Sequence, residues 1–167
     1  MSDFALEFLQ IGCSFKARDA QGKGYTAVAD TSLHIRAGEF VSVVGPTGCG
    51  KSTLLNIGAG LLAPSTGEVR VFGQPLRGIN TRAGYMFQTD ALMPWRSALD
   101  NVMLGLQYRG LPEPQARQQA QSWLERVGLG AFGHHYPHQL SGGMRKRTAL
   151  AQVLALDPDI ILMDEPF

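Results

Sequence analysis

Very little in this chain of 167 residues is extreme, and the absences narrow its class. It carries only two cysteines, Cys13 and Cys49. Two thiols cannot build the disulfide framework of a small secreted domain, so a reducing interior suits the chain. No apolar run approaches the ~18–20 residues that span a bilayer. Ile160–Met163 is short, and Asp157 cuts off the run that begins at Val153. The opening Met-Ser-Asp-Phe-Ala-Leu-Glu has neither the basic start nor the apolar core of a signal peptide. Charge of one sign is also missing. Fifteen Lys and Arg stand against 14 Asp and Glu, a net charge of +1, which argues against a generic polyanion binder. There are no internal repeats and no low-complexity stretches. These features describe a soluble, cytosolic chain that would meet a membrane only through a partner. Its length suits one domain or a piece of a slightly larger one.

What is present reads as alternating strands and helices. Phe4–Leu9 and Ala27–Ile35 have strand-like spacing, separated by the polar loop Ala17–Gly24. Glu39–Val44 is a β-branched run that reads as a buried strand stopping at Gly45. Thr53–Gly60 reads as a small-residue helix, Glu68–Phe72 as a short strand before a Gly73-Gln74-Pro75 turn, and Gly84–Phe87 as another strand. Pro114–Val127 places Ala116, Ala120, Trp123, Leu124 and Val127 at helical spacing, with Gly128 as its C-terminal cap. His134, His135 and His138 lack Cys or carboxylate neighbours at metal-ligand spacing, so this stretch reads as a solvated loop.

Gly45-Pro46-Thr47-Gly48-Cys49-Gly50-Lys51-Ser52 fits the phosphate-loop pattern at every fixed position, between a strand and a helix. Glycine is needed where successive amides turn inward around phosphate oxygens. The helix that follows, entered through Thr53, brings its unpaired amides and positive dipole end to the same anion. Lys51 supplies a charge for the β- and γ-phosphates, and the Ser52 hydroxyl suits Mg²⁺. Cys49 reads as a small side chain that fits, without chemistry of its own. A second half-site is expected at the end of another buried strand. Ile160–Met163 followed by Asp164 and Glu165 provides it, with Asp164 holding Mg²⁺ through water and Glu165 as general base.

Leu140-Ser141-Gly142-Gly143-Met144 adds a second glycine-rich helix start, with Ser141 as N-cap and Met144, Ala151 and Ala155 on one face. Arg145-Lys146-Arg147 puts three cations in the first turn, opposing the helix dipole by ~0.3–1 kcal/mol each. Anionic groups are therefore expected beside them.

In this order the motifs resemble those of ABC transporter ATPase subunits, over nearly the whole chain. Leu140–Met144 is similar to the signature motif, and Phe87-Gln88 to the Q-loop. Leu92-Met93-Pro94-Trp95-Arg96, Asp100-Asn101-Val102 and Tyr136–Arg147 resemble the importer branch serving nitrate, sulfonate and taurine. The resemblance implies an α/β P-loop NTPase fold with an antiparallel β subdomain and a helical subdomain. Residues of about 1–87 and 157–167 would form the nucleotide-binding core, and about 88–156 the Q-loop, helical subdomain and signature helix. It implies ATP and Mg²⁺ as cofactors, Gln88 touching Mg²⁺ and the attacking water, and a homodimer sandwich. In that sandwich Ser141, Gly142 and Gly143 of one subunit would meet the γ-phosphate held by Lys51 of the other. An aromatic ahead of the phosphate loop would stack on adenine; Phe15 and Tyr25 qualify, and Phe15 is preferred.

The resemblance further implies a permease partner on the cytoplasmic side of the cell membrane, met through Phe87–Arg96, and indirectly a solute-binding protein, with no nucleic acid. The family continues past the second carboxylate with a Leu-Asp loop and a histidine-bearing strand. The chain's last residues are Pro166-Phe167, so it reads as partial, its C-terminal strands missing, and turnover by this length alone is expected to be slow. A nucleotide-binding piece without turnover and a soluble non-transport ABC protein are the alternatives. A guanine-specific switch is not, because the chain has no Asn-Lys-x-Asp.

Overall fold

The structure, a computed structural model, describes residues 3–16 and 24–165. Most of the polar loop expected at 17–24, and the closing Pro166-Phe167, lie outside the described residues. The chain forms two compact units, residues 1–81 and 82–167.

In the first unit, β1 (Phe4–Phe15), β2 (Tyr25–Arg36), β3 (Thr66–Val71) and β4 (Gln74–Pro75) form an antiparallel sheet in the order β2-β1-β3-β4. β1 runs well past the Leu9 end expected from spacing. The reason is a bulge: Gln10 takes φ 51 and the pairing with β2 shifts between Phe8 and Ile11. One extra residue switches the inward parity, so Leu6 and Phe8 are buried before it and Ile11 and Cys13 after it. β3 and β4 are joined by Phe72 and Gly73 alone, at φ 47 and 78, the two-residue connection whose twist suits a hairpin. Helix α1 (Lys51–Gly58) buries Leu54 and Ile57, and packs so close to β1 that a Cβ on Gly58 would lie 2.9 Å from Phe8 Cζ. Asn80 closes the end of α1, its Nδ2 donating to Gly58 O at 3.0 Å.

The expected strand at Glu39–Val44 does not form. Residues 39–46 belong to no strand, and Phe40 and Val44 are 92% and 85% exposed. Among the described residues no strand pairs with this run. β-Branched side chains favour a strand only where a ladder and a packed face exist, so the run stays solvated and unpaired among the described residues.

In the second unit, β5 (Ala83–Met86) and β6 (Ile160–Met163) pair in parallel, with Tyr85 opposite Leu162 and Met86 opposite Met163. β6 is less buried than its apolar run implies: Leu162 is buried but Ile161 is 40% exposed. A two-stranded ladder offers packing on only part of its surface. Three helices, α2 (Ala98–Tyr108), α3 (Glu113–Arg126) and α4 (Gly142–Leu154), enclose one apolar core. α3 buries Ala116, Ala120 and Leu124 completely and ends at Gly128, whose φ of 74 is the left-handed cap expected of it. α2 escaped the sequence reading. Its signal was there: Ser97 as N-cap, Asp100 three residues on, and Leu99, Val102, Met103 and Leu106 at helical spacing. α4 also packs Ala149 and Val153 against Met86 of β5.

Candidate functional site

The phosphate-loop residues lie in the first unit and share one local geometry. Gly48 and Gly50 have φ of 82 and 96, conformations that a side chain resists. A Cβ on Gly50 would stand 2.3 Å from Ala27 O of β2, whereas one on Gly48 would meet nothing within 4 Å. Gly50 is therefore fixed by packing, and the Gly48 side of the loop is open. Gly45, Pro46, Thr47, Gly48 and Cys49 are exposed, as is Ser52, while Lys51 and Thr53 are half-buried. Lys51 Nζ donates to Gly45 O at 2.9 Å and Pro46 O at 3.0 Å, with Cys49 Sγ at 4.0 Å. An ammonium whose partners are neutral carbonyls gains from exchanging them for anionic oxygens. The loop and its cation thus fit a phosphate.

The second unit brings the other predicted groups together. Asp164 ends β6, is 9% exposed, and its amide donates to Met86 O at 2.9 Å. Gln88 Nε2 donates to Glu165 Oε2 at 2.7 Å. That bond uses the amide hydrogens of Gln88 and leaves its carbonyl oxygen available as a ligand. The Gln88 side-chain carbonyl and the Asp164 carboxylate of this unit are each hard oxygen donors of the kind Mg²⁺ takes, as is the Ser52 hydroxyl within the first unit. Tyr85, which the sequence reading passed over, hydrogen-bonds Asp164. Burial first, then the charge of Asp164 and this bond, push its phenol up to about 12. Parallel pairing explains the meeting, because Tyr85 lies opposite Leu162 and so shares the face of β6 that carries Asp164.

Ser141 caps α4 as expected, its Oγ accepting from Met144 N at 3.3 Å. Ser141, Gly142 and Gly143 are exposed, and a Cβ on Gly143 would meet nothing within 4 Å. The first amides of a helix have no partner within it, so this open tip suits an anion. The three cations that follow find partners in the second unit. Arg145 Nε bonds Asp90 Oδ2 at 2.9 Å, Arg147 Nη1 reaches Val127 O at 2.9 Å, and Lys146 Nζ lies near Gln88 O and Glu165 O. Among the described residues Arg145 alone of the three meets a carboxylate, and carbonyl oxygens serve the other two.

Phe15 and Tyr25 stack on each other, ring centroids 5.3 Å apart and planes 24° from parallel, so the two candidates form one platform. Trp95 is 72% exposed, Met93 is half-buried, and Leu92 packs beside Met86. Asn101, fully buried, holds this segment by donating to Met93 O, Arg96 O and Ser97 O and accepting from Met93 N. Among the described residues no group of three His, Cys, Asp or Glu is placed to hold a metal by itself, and none of the helices is long and apolar enough to cross a membrane.

Comparison with known proteins agrees with these motifs. The profile of the family described as ABC transporter matches residues 28–167. The chain is 47% identical over 148 residues to the taurine import ATP-binding protein TauB of Yersinia pestis bv. Antiqua, covering 89% of this chain and 58% of that protein. It is 47% identical over 157 residues to the protein of the same name from Pseudomonas aeruginosa, covering 94% of this chain and 59% of the relative. It thus spans less than two thirds of the length of these relatives. Among solved structures, the ATP-binding cassette MJ0796, a dimer in a post-hydrolysis state bound to ADP and Pi, superposes with a TM-score of 0.87 at 34% identity. That alignment covers 96% of this chain and 74% of the other. Phosphate loop, paired acids, Q-loop glutamine and capped signature helix therefore have one common explanation: the chain belongs to the ABC transporter family.

Proposed function

We propose that this chain is the ATP-binding and ATP-hydrolysing part of an importer subunit for a small sulfonate-like solute such as taurine. The observation that carries the reading is the 2.7 Å bond from Gln88 to Glu165, beside the nearly buried Asp164. It sets a base, a polar orienting group and a hard carboxylate together at the ends of the paired strands β5 and β6. Mg²⁺ when bound supplies electrostatic stabilisation of phosphate charge, and Ser52, Gln88 and Asp164 are the residues that would hold it.

The chain's own groups divide the work. Lys51 and the backbone N–H groups of 45–52, other than that of Pro46, which has none, grip the phosphates of ATP. Glu165 accepts a proton from the attacking water, and Gln88 orients that water. Ser141, Gly142 and Gly143 close over the γ-phosphate held by a second copy, so ATP joins the dimer and its hydrolysis releases it. Phe15, stacked on Tyr25, offers the adenine a flat apolar face. The exposed Trp95 and half-buried Met93 form the contact with a permease at the cytoplasmic face of the inner membrane, where the subunit is peripheral and a solute-binding protein acts on the far side. The two relatives described above are both named taurine import ATP-binding proteins, which supports the solute class.

Glu165→Gln tests the reading. ATP binding should stay within about twofold, while turnover should fall by about 10²-fold or more, as loss of a general base does. Binding and turnover falling together would refute the assignment. One observation favours a second reading, nucleotide binding without turnover by this length of chain: the run at 40–44 leading into the phosphate loop has no ladder among the described residues. Steady-state hydrolysis by the chain decides between the two.

A further inference from the structure

The ring of contacts around Glu165 includes one group whose role the hydrolysis chemistry leaves open. Lys146, the fifth residue of α4, is half-buried. Its Nζ lies 3.4 Å from Gln88 O and 3.5 Å from Glu165 O, the main-chain oxygens of the two residues whose side chains meet at 2.7 Å. The ammonium therefore bridges the same pair from behind. Its two neighbours in sequence point elsewhere, Arg145 to Asp90 and Arg147 to Val127 O.

Glu165 also has φ 45, a left-handed conformation that a non-glycine residue keeps only when its surroundings hold it there. A compact ammonium with three donors suits two carbonyls at once. Because it binds carbonyls and not the carboxylate, it constrains the Glu165 main chain without occupying the oxygens that would take a proton. From this geometry we infer that Lys146 is a positioning residue: it fastens the main chains of Gln88 and Glu165 to the start of α4 and so keeps amide and carboxylate aligned. The inference rests on the proposed role of Glu165 as base. It also means that the helix tip at Ser141 and the acid at 165 share one tether.

Lys146→Met keeps the length of the side chain and its helix propensity while removing the donors. In the full chain, kcat for ATP should fall about tenfold, equivalent to ~1.4 kcal/mol, with KM unchanged within about twofold. Lys146→Arg, which retains charge and donors, should recover most of that loss. Without nucleotide, amide hydrogen exchange in Lys146→Met should quicken at 88–90 and 164–165 and stay unchanged along 142–154. An unchanged kcat, an unchanged exchange at those two segments, or faster exchange along α4 with kcat and KM both impaired would overturn the inference. Glu165→Gln run in parallel separates the two ideas. Its normal turnover would remove Glu165 as base, while the nucleotide-free exchange pattern still decides whether Lys146 holds the pair.

Discussion

Two glycines in the same loop should fail very differently when a methyl group is added. Gly50 sits at φ 96 with a would-be Cβ 2.3 Å from Ala27 O, 3.2 Å from Ala27 C and 3.1 Å from Val28 Cγ2. The left-handed backbone alone costs an L-residue ~1–2 kcal/mol. The obstacle is main chain of β2, which cannot rotate away as a side chain could, so displacement adds ~1–3 kcal/mol of the kind seen on overpacking. Gly50→Ala should therefore lose ~2–5 kcal/mol. Gly48, at φ 82 with no atom within 4 Å of the added carbon, should lose only the backbone part, ~1–2 kcal/mol. Scanning calorimetry of both variants without nucleotide reads the difference, at ~2–4 °C per kcal/mol for chains of this size. Equal losses would refute the reasoning, because they would show that contact with β2 does not hold the loop.

Three further outcomes follow from particular contacts. Asn101→Ala removes the donor to three carbonyls and the acceptor of Met93 N inside the second unit; urea unfolding should show a loss of ~2–4 kcal/mol, and a loss under ~1 would mean that water replaces these bonds. Tyr85 carries a phenol raised from 10.0 to about 12, so the folded chain keeps a proton that the unfolded chain has released in that interval. Its contribution is complete below pH 10 and declines as pH rises toward 12, and Tyr85→Phe should flatten that decline in urea midpoints taken across the window. Trp95→Ala combined with Met93→Ala should weaken co-purification with a permease while leaving ATP affinity within about twofold, since neither residue is proposed to touch nucleotide; a matching drop in ATP affinity would remove this surface as a docking site.

How much of this was readable beforehand depends on how local each cause is. The α3 face, the Gly128 cap and the Ser141 cap all follow from residues within a turn or two, and each appears where spacing placed it. The bulge at Gln10 needs a partner strand to reveal it, so β1 looked six residues shorter than it is. The run at 39–44 has every local mark of a strand, yet a strand is a relation between two segments and no partner is present among the described residues. α2 was missed for a different reason: its N-cap at Ser97 and the helical spacing of Leu99, Val102, Met103 and Leu106 went unused. In the site, the phosphate loop and the two acids were visible as motifs, whereas Tyr85, Asp90 and the partners of Arg145 and Lys146 come from elements 55 or more residues apart in most cases. Such pairings have no signature in a single chain.

Alanine supplies five of the buried side chains in the apolar core of the second unit, as many as leucine does. Ala98, Ala116, Ala120, Ala151 and Ala155 are all at most 1% exposed. Such short side chains bring backbones close, and interiors packed this tightly compress very little. A displacement of the Met93–Ser97 segment, which Asn101 ties to the first turn of α2, would thus be passed on through closely packed backbones toward α4. Short side chains at these five positions leave the three helices little room to slide past one another, so the bundle's own packing resists bending between the two segments.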